Sequence, residues 1–145
     1  MGEGRNRGSE RGSILVLVPA GVLVLLVLGC ITFDFAHLYL AQRELTALAE
    51  SIANDAATYA IDQSALRGGG RVVLDSTRAD AIAALAATTA PEDLHLRDLH
   101  VDVDAIAGVV VVTAVAAVDP VFLAAVGGDV VPRQVRASAR AALRT

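Results

Sequence analysis

The stretch ILVLVPAGVLVLLVLGCITF, residues 14–33, decides how the rest of the chain is read. It holds no charged residue, and fourteen of its twenty positions are Leu, Val, Ile or Phe. Twenty residues at about 1.5 Å each make roughly 30 Å of helix, the thickness of a bilayer's hydrocarbon core. Residues of this kind contribute roughly −0.3 to −0.6 kcal/mol each near mid-membrane, so insertion is favourable. Arg5, Arg7 and Arg11 stand just before the run, whereas only Arg43 follows it closely. That bias predicts a cytoplasmic N-terminus and a single pass that leaves everything after Asp34 outside the cytoplasm, anchored in the cell membrane. Phe33, Phe35 and Tyr39 cluster at the outer end, where aromatic rings favour the headgroup region, and Asp34 marks the exit from hydrocarbon.

The same run admits two other readings. A cleaved signal peptide has a shorter apolar core, about 7–15 residues, ending in a small-residue cleavage site. The segment Leu26-Val27-Leu28-Gly29-Cys30 resembles a bacterial lipobox, in which the Cys is lipidated and becomes the new N-terminus. Against it, Leu28 is large for its position, and the chain continues with apolar Ile31-Thr32-Phe33 and a helical pattern rather than a polar tether. The alternative function under that reading is a lipoprotein, anchored through Cys30, that binds a ligand or partner at the envelope. As the chain's one cysteine, Cys30 also excludes an intrachain disulfide and a cysteine-rich metal site.

The helical pattern runs on past the span. From Phe35 to about Ile61 there is no Gly or Pro, and Leu38, Leu45, Ile52 and Tyr59 recur every seven residues beside Leu48, Ala49, Ala53 and Ala56. One apolar stripe on a continuous helix is expected, half of it in lipid and half outside. Pro19 removes one backbone hydrogen bond near the cytoplasmic end and is expected to bend the helix there. Arg67-Gly68-Gly69-Gly70-Arg71 breaks the pattern and is read as a boundary. Beyond it, Ser76 or Thr77 is expected to cap a second helix ended by Pro91.

The remainder reads as strands. Leu99, Val101 and Val103 alternate with His100, Asp102 and Asp104, predicting one buried and one wet face. The apolar run from Val109 to Val118 predicts a central strand covered on both sides. Asp119-Pro120 should open a short helix, with Asp119 as cap and Gly127-Gly128 ending it. A last strand alternates Val135, Ala137, Ala139 and Ala141 with Arg136, Ser138 and Arg140. The expected architecture is α+β: a long N-terminal transmembrane helix continuing outside the membrane, a second helix and a small three-stranded antiparallel sheet, a pilin-like arrangement. The expected divisions are a basic cytoplasmic N-terminus (1–13), the span (14–33), its extramembrane extension (34–67) and a small α+β domain (68–145). That last part is short, so the stripe on the long helix is expected to cover the sheet.

At this point the chain resembles the TadE/TadG-like family of pilus-assembly proteins. The resemblance begins at Arg11-Gly12-Ser13 and continues through the span and the exit segment Phe33-Asp34-Phe35-Ala36-His37-Leu38-Tyr39-Leu40-Ala41. It passes on to Gln42-Arg43-Glu44-Leu45, Ala49-Glu50 and Asp55-Ala56-Ala57. In the tail it takes in Asp119-Pro120-Val121-Phe122-Leu123 and Val135-Arg136-Ala137-Ser138-Ala139. It implies a membrane-anchored, pilin-like minor component of a Flp/Tad pilus or secretion apparatus. Its partners would be other Tad/Flp proteins, met through helix packing. Gly12 and Ser13 would flank a processing site, and Asp34, Leu38, Leu45, Ile52 and Tyr59 would make membrane-boundary and partner contacts. One departure bears on the role. Processed pilins often carry Glu at the fifth mature position, whereas cleavage after Gly12 puts Leu17 there and cleavage after Gly8 puts Ser13 there. A pseudopilin or assembly component is implied rather than a major filament subunit.

No catalytic set competes with this reading. His95, Asp98, His100, Asp102 and Asp104 are ligand types, but same-face strand positions lie about 6.6 Å apart, which suits a solvated face better than an ion. Gly68-Gly69-Gly70 lacks the Lys-Ser/Thr of a phosphate loop, and there is no Gly-x-Ser-x-Gly nucleophile motif. A net charge of −4 with scattered arginines disfavours nucleic acid. No enzyme activity, metal, cofactor or small-molecule substrate is expected.

Overall fold

In the computed structural model, which describes residues 10–69, 72–92, 94–122 and 131–143, the dominant element is one helix, α1 (Glu10–Tyr59), of 50 residues. At about 1.5 Å per residue it is roughly 75 Å long. Pro19 lies inside it and the helix continues through that position. From Leu17 onward α1 is long and apolar enough to cross a membrane, and its most apolar window is not buried by the rest of the protein. Leu17, Val22, Leu23, Leu25 and Leu28 are all exposed. Near the end of the apolar run the Thr32 hydroxyl donates to the Leu28 carbonyl at 2.8 Å and is satisfied inside the helix.

The second half of α1 is the opposite. Leu45, Ala49, Ile52, Ala53 and Ala56 are buried, with Leu38, Ala41 and Leu48 packed at the margin. The sheet that covers them consists of β1 (His95–Asp104), β2 (Val109–Val118) and β3 (Arg133–Ala142), antiparallel in the order β1-β2-β3. Its inner face carries Val110, Val112, Ala114 and Ala116 from β2, and Val135, Ala137, Ala139 and Ala141 from β3. Small residues on β3 share one core with Ala49, Ala53 and Ala56 of the contacting helix, which lets the backbones approach closely and keeps the layer dense. Two short helices complete the fold: α2 (Gln63–Arg67) and α3 (Ser76–Thr88), the latter packed on α1 and β1 through Ala79 and Ala83.

The α+β architecture is therefore as the sequence predicts, and several local expectations are corrected. Tyr59, placed on the stripe by heptad spacing, is 69% exposed. A straight helix drifts about 20° per heptad, so three heptads from Leu38 carry Tyr59 roughly 60° off the buried line, and Ala56 and Ala60 take the core positions instead. The stripe of Leu45 and Ile52 covers the chain's own sheet, as expected of the covering layer, so these two buried side chains are not exposed for the partner contacts also expected of them. The boundary at Arg67-Gly68 does not separate two cores. Ile61 bridges to Leu74, the Asp62 amide donates to the Val73 carbonyl at 2.8 Å, and the Asp75 amide to the Ala60 carbonyl at 2.7 Å, closing the excursion back onto α1. The cap of α3 is Asp75, not Ser76 or Thr77: its carboxylate accepts from the Thr77 and Arg78 amides. Strand β2 is central and its inner face is buried throughout; on its outer face Val115 and Ala117 are buried as well, while Val109, Val111 and Thr113 are half-buried.

Strands and helix run side by side. Arg133 stacks over the Phe35 ring at 5.8 Å, the Gln42 side-chain amide donates to the Arg136 carbonyl at 2.8 Å, and Leu143 shares a cleft with Ala57 and Thr58. From Phe35 to Ala57 the helix rises about 33 Å, and from Arg133 to Leu143 the strand advances about 33 Å. The strands thus lie along the direction in which α1 leaves the apolar run.

Candidate functional site: the joint at the end of the apolar run

The polar group nearest the end of the apolar run is Asp34, and its carboxylate is used within the chain. One oxygen accepts from the Val121 amide at 2.9 Å and the Phe122 amide at 3.0 Å. Val121 and Phe122 open the helical turn after β2. The first amides of such a turn have no partner inside it, and a carboxylate at that end satisfies them and favours the local dipole. The sequence assigns this cap to Asp119; the structure gives it to Asp34, which lies 87 residues from Val121 in the chain. Residues 123–130, where Gly127 and Gly128 are expected to end the short helix, lie outside the described residues.

Aromatic contacts reinforce the joint. The Phe33 and Phe122 rings meet edge to face, with centroids 5.1 Å apart at 86°. The Arg133 guanidinium lies over Phe35 on the neighbouring side of α1. Ile31, Asp34, Phe35, His37 and Leu38 from α1, with Val118, Pro120 and Arg133 from the sheet end, line a small cleft between the two layers. Phe33 and Phe35 therefore do more than sit at a headgroup boundary: each holds a residue from the far end of the chain. Arg133 and the Val121–Phe122 turn escape sequence reasoning, because nothing in their local pattern points to a helix some ninety residues earlier.

The other singled-out residues are dispersed. Cys30 is a half-buried free thiol in the interior of α1, one turn before Asp34. Gly12 and Ser13 fall in the first turns of α1. Leu38 lies at the edge of the core, and Leu45 and Ile52 at its centre. On β1, His100 and Asp102 are exposed on the outer face, while the Asp104 carboxylate accepts from the Ile106 and Ala107 amides and so shapes the turn into β2. Among the described residues no three His, Cys, Asp or Glu side chains converge as a metal site would require. At the far end, Asp62 accepts from the Ser64 hydroxyl and from the Ser64 and Ala65 amides, and these hydrogen bonds hold its carboxyl below the ordinary carboxylate range.

These features define a class: an α+β domain carried on one apolar helix long enough to cross a membrane, with a polar and aromatic joint where the apolar run ends. No family model, curated protein or solved structure matches the chain.

Proposed function

We propose that the protein is a non-enzymatic, single-pass membrane component of a pilus or secretion apparatus of the Flp/Tad type, with its N-terminus cytoplasmic and its α+β domain outside the cytoplasm. The observation that carries this reading is the division of labour along α1. Its first half is apolar and unburied, and its second half is built into the core of a small sheet domain. A rod of this kind suits a subunit inserted laterally among other helices in a bilayer. The exposed Leu and Val positions up to Leu40 supply that packing surface, whereas Leu45 and Ile52 are already occupied. The arginine bias before the span supports the orientation. The TadE/TadG-like pattern supports the system, and the missing Glu after either candidate cleavage point supports an assembly or minor-subunit role.

The test is affinity capture of the tagged full-length protein from native membranes solubilised in mild detergent. Recovery of a Flp-type pilin, a secretion ATPase or its membrane platform is expected. Recovery of none of them from membranes that contain them refutes the reading. N-terminal sequencing of the same sample should give either Met1 or a new end next to Gly12; a lipidated Cys30 as first residue would replace the anchored-helix reading with the lipoprotein one.

A further inference from the structure

The outer face of the sheet is patterned by charge. Strand register sets Asp98, Val115 and Arg136 in one cross-strand row, His100, Thr113 and Ser138 in the next, and Asp102, Val111 and Arg140 in a third. One edge strand is therefore acidic, the other basic, and the strand between them apolar. Asp98, Asp102, Arg136 and Arg140 are all exposed. Acid and base in a row stand two strands apart, about 10 Å, too far to pair directly within one sheet. Among the described residues the one ion pair is Arg78–Asp75, on α3. The described helices pack on the opposite face or beside it.

From this arrangement we infer that the outer face is the contact between two copies of the protein in the same membrane, related by a two-fold axis running along β2. Such a rotation exchanges the two edges of the sheet while keeping the strand direction and the height of each row. Asp98 of one copy then lies over Arg136 of the other, Asp102 over Arg140, and His100 over Ser138, each contact occurring twice. Val111 and Thr113, half-buried on the axis, meet their own counterparts, while Val115 is already buried within each copy. Face-to-face sheets pack about 10 Å apart with strands within about 30° of alignment, a gap that Arg and Asp side chains span together. The contact is closed and self-complementary, as a two-fold interface must be.

The tether selects this geometry over the alternative. Because the strands lie along α1, the axis runs along the anchor and both spans leave on the same side, into one bilayer. Two-fold pairing through the free sheet edges instead sets the strands antiparallel and points the anchors in opposite directions. The face measures about 14 by 33 Å, so the pair buries under roughly 1,000 Å² in all, less than a stable soluble dimer needs. Confinement to a membrane raises effective concentration and compensates for the small area. In the pair the two α1 helices lie on the outer sides, roughly 30 Å apart, and do not touch. The inference rests on membrane anchoring and not on membership of a pilus, and it leaves the exposed faces of the spans open to other partners.

The test uses the full-length protein in phosphatidylcholine–phosphatidylglycerol vesicles, with Cys30→Ser in every variant. Thr113→Cys, on the axis, is expected to give a covalent dimer with a short bis-maleimide, and Leu85→Cys, exposed on α3, is not. Adding Asp102→Arg or Arg140→Asp to Thr113→Cys places like charges in both symmetric contacts, and each should lower dimer yield about tenfold. An equimolar mixture of those two variants restores opposite charges in both contacts and should recover the yield. The inference is overturned if Thr113→Cys gives no dimer while circular dichroism shows native structure. It is equally overturned if the charge reversals leave the yield unchanged, or if the mixture does no better than its components.

Discussion

Replacing Asp34 by Ala removes the acceptor for two amides that no neighbour in sequence replaces. Loss of an Asp N-cap costs about 0.5–2 kcal/mol, and hydrogen bonds to a charged group lie toward the upper end of the range for such bonds. With the Val121 and Phe122 amides both held at 3.0 Å or less, the expected cost of opening the joint is about 2 kcal/mol. That corresponds to roughly a thirtyfold rise in the open population, since about 1.4 kcal/mol is a factor of ten. Amide hydrogen exchange in lipid nanodiscs, read on the peptide containing Val121 and Phe122, measures it directly, and those two positions should exchange roughly thirtyfold faster. Asp34→Asn keeps an oxygen acceptor without the charge and should fall between wild type and Ala. Asp119→Ala is the decisive control: Asp119 is the cap by sequence position but not by contact, and its loss should change exchange by less than about twofold. Unchanged exchange in Asp34→Ala, or a larger effect from Asp119→Ala, would refute the long-range cap.

Ile52, 1% exposed at the centre of the helix–sheet layer, should cost about 2–5 kcal/mol on truncation to Ala, seen as a lower denaturant midpoint; Leu25→Ala in the unburied part of α1 should leave that midpoint in place. Gly108 has φ of +65° in the β1–β2 turn, and an added Cβ would stand 3.3 Å from Cβ of Leu143, so Gly108→Ala should lose at least about 1 kcal/mol in the same assay. The Asp62 carboxyl is held lower in the fold than its ordinary value of 3.8, so its contribution is fully present above that value and disappears as pH falls through the folded pKa. Asp62→Asn should accordingly be less stable than wild type at neutral pH and flatten the acid limb of the stability profile; parallel limbs for the two proteins would contradict this. A fragment starting at residue 68 lacks the helical layer over the sheet and should show no cooperative unfolding, whereas one starting at residue 34 retains it and should melt cooperatively.

What was legible in the sequence followed from periodicity. Twenty uncharged residues, the period-two alternation of β1 and β3 and the solid Val/Ala run of β2 each match an element, because burial on one face or both leaves a direct trace in the order of side chains. That the Ala-rich helix covers the inner face of the sheet follows from the short residues on both, whereas the strand register is set by packing. The joint left no such trace. Asp34 is as well explained by the end of a span, and Asp119-Pro120 carries the local signature of a cap, so the nearer carboxylate is the natural assignment. Which acid reaches the amides depends on where β2 ends relative to α1, and that is fixed by packing of the whole layer. Tyr59 failed for a related reason: a heptad count holds over two turns and accumulates angular error over six.

On the membrane reading proposed above, the joint also explains how a single helix can serve as both anchor and core. A domain hung on one flexible linker would sample many orientations, and charged edges on its sheet would then have no fixed height above the membrane. Here no linker intervenes, because α1 enters the core by Leu38, within two turns of the end of the apolar run. The Asp34 cap, the Phe33–Phe122 contact and the Arg133–Phe35 stack fasten the end of the sheet nearest the apolar run to the same turns of α1. The sheet therefore inherits the orientation of the anchor, and every row of its outer face stands at a set height above the point where α1 leaves the apolar run. That shared height allows Asp98 and Asp102 of one copy to meet Arg136 and Arg140 of another through rotation alone, with no vertical adjustment.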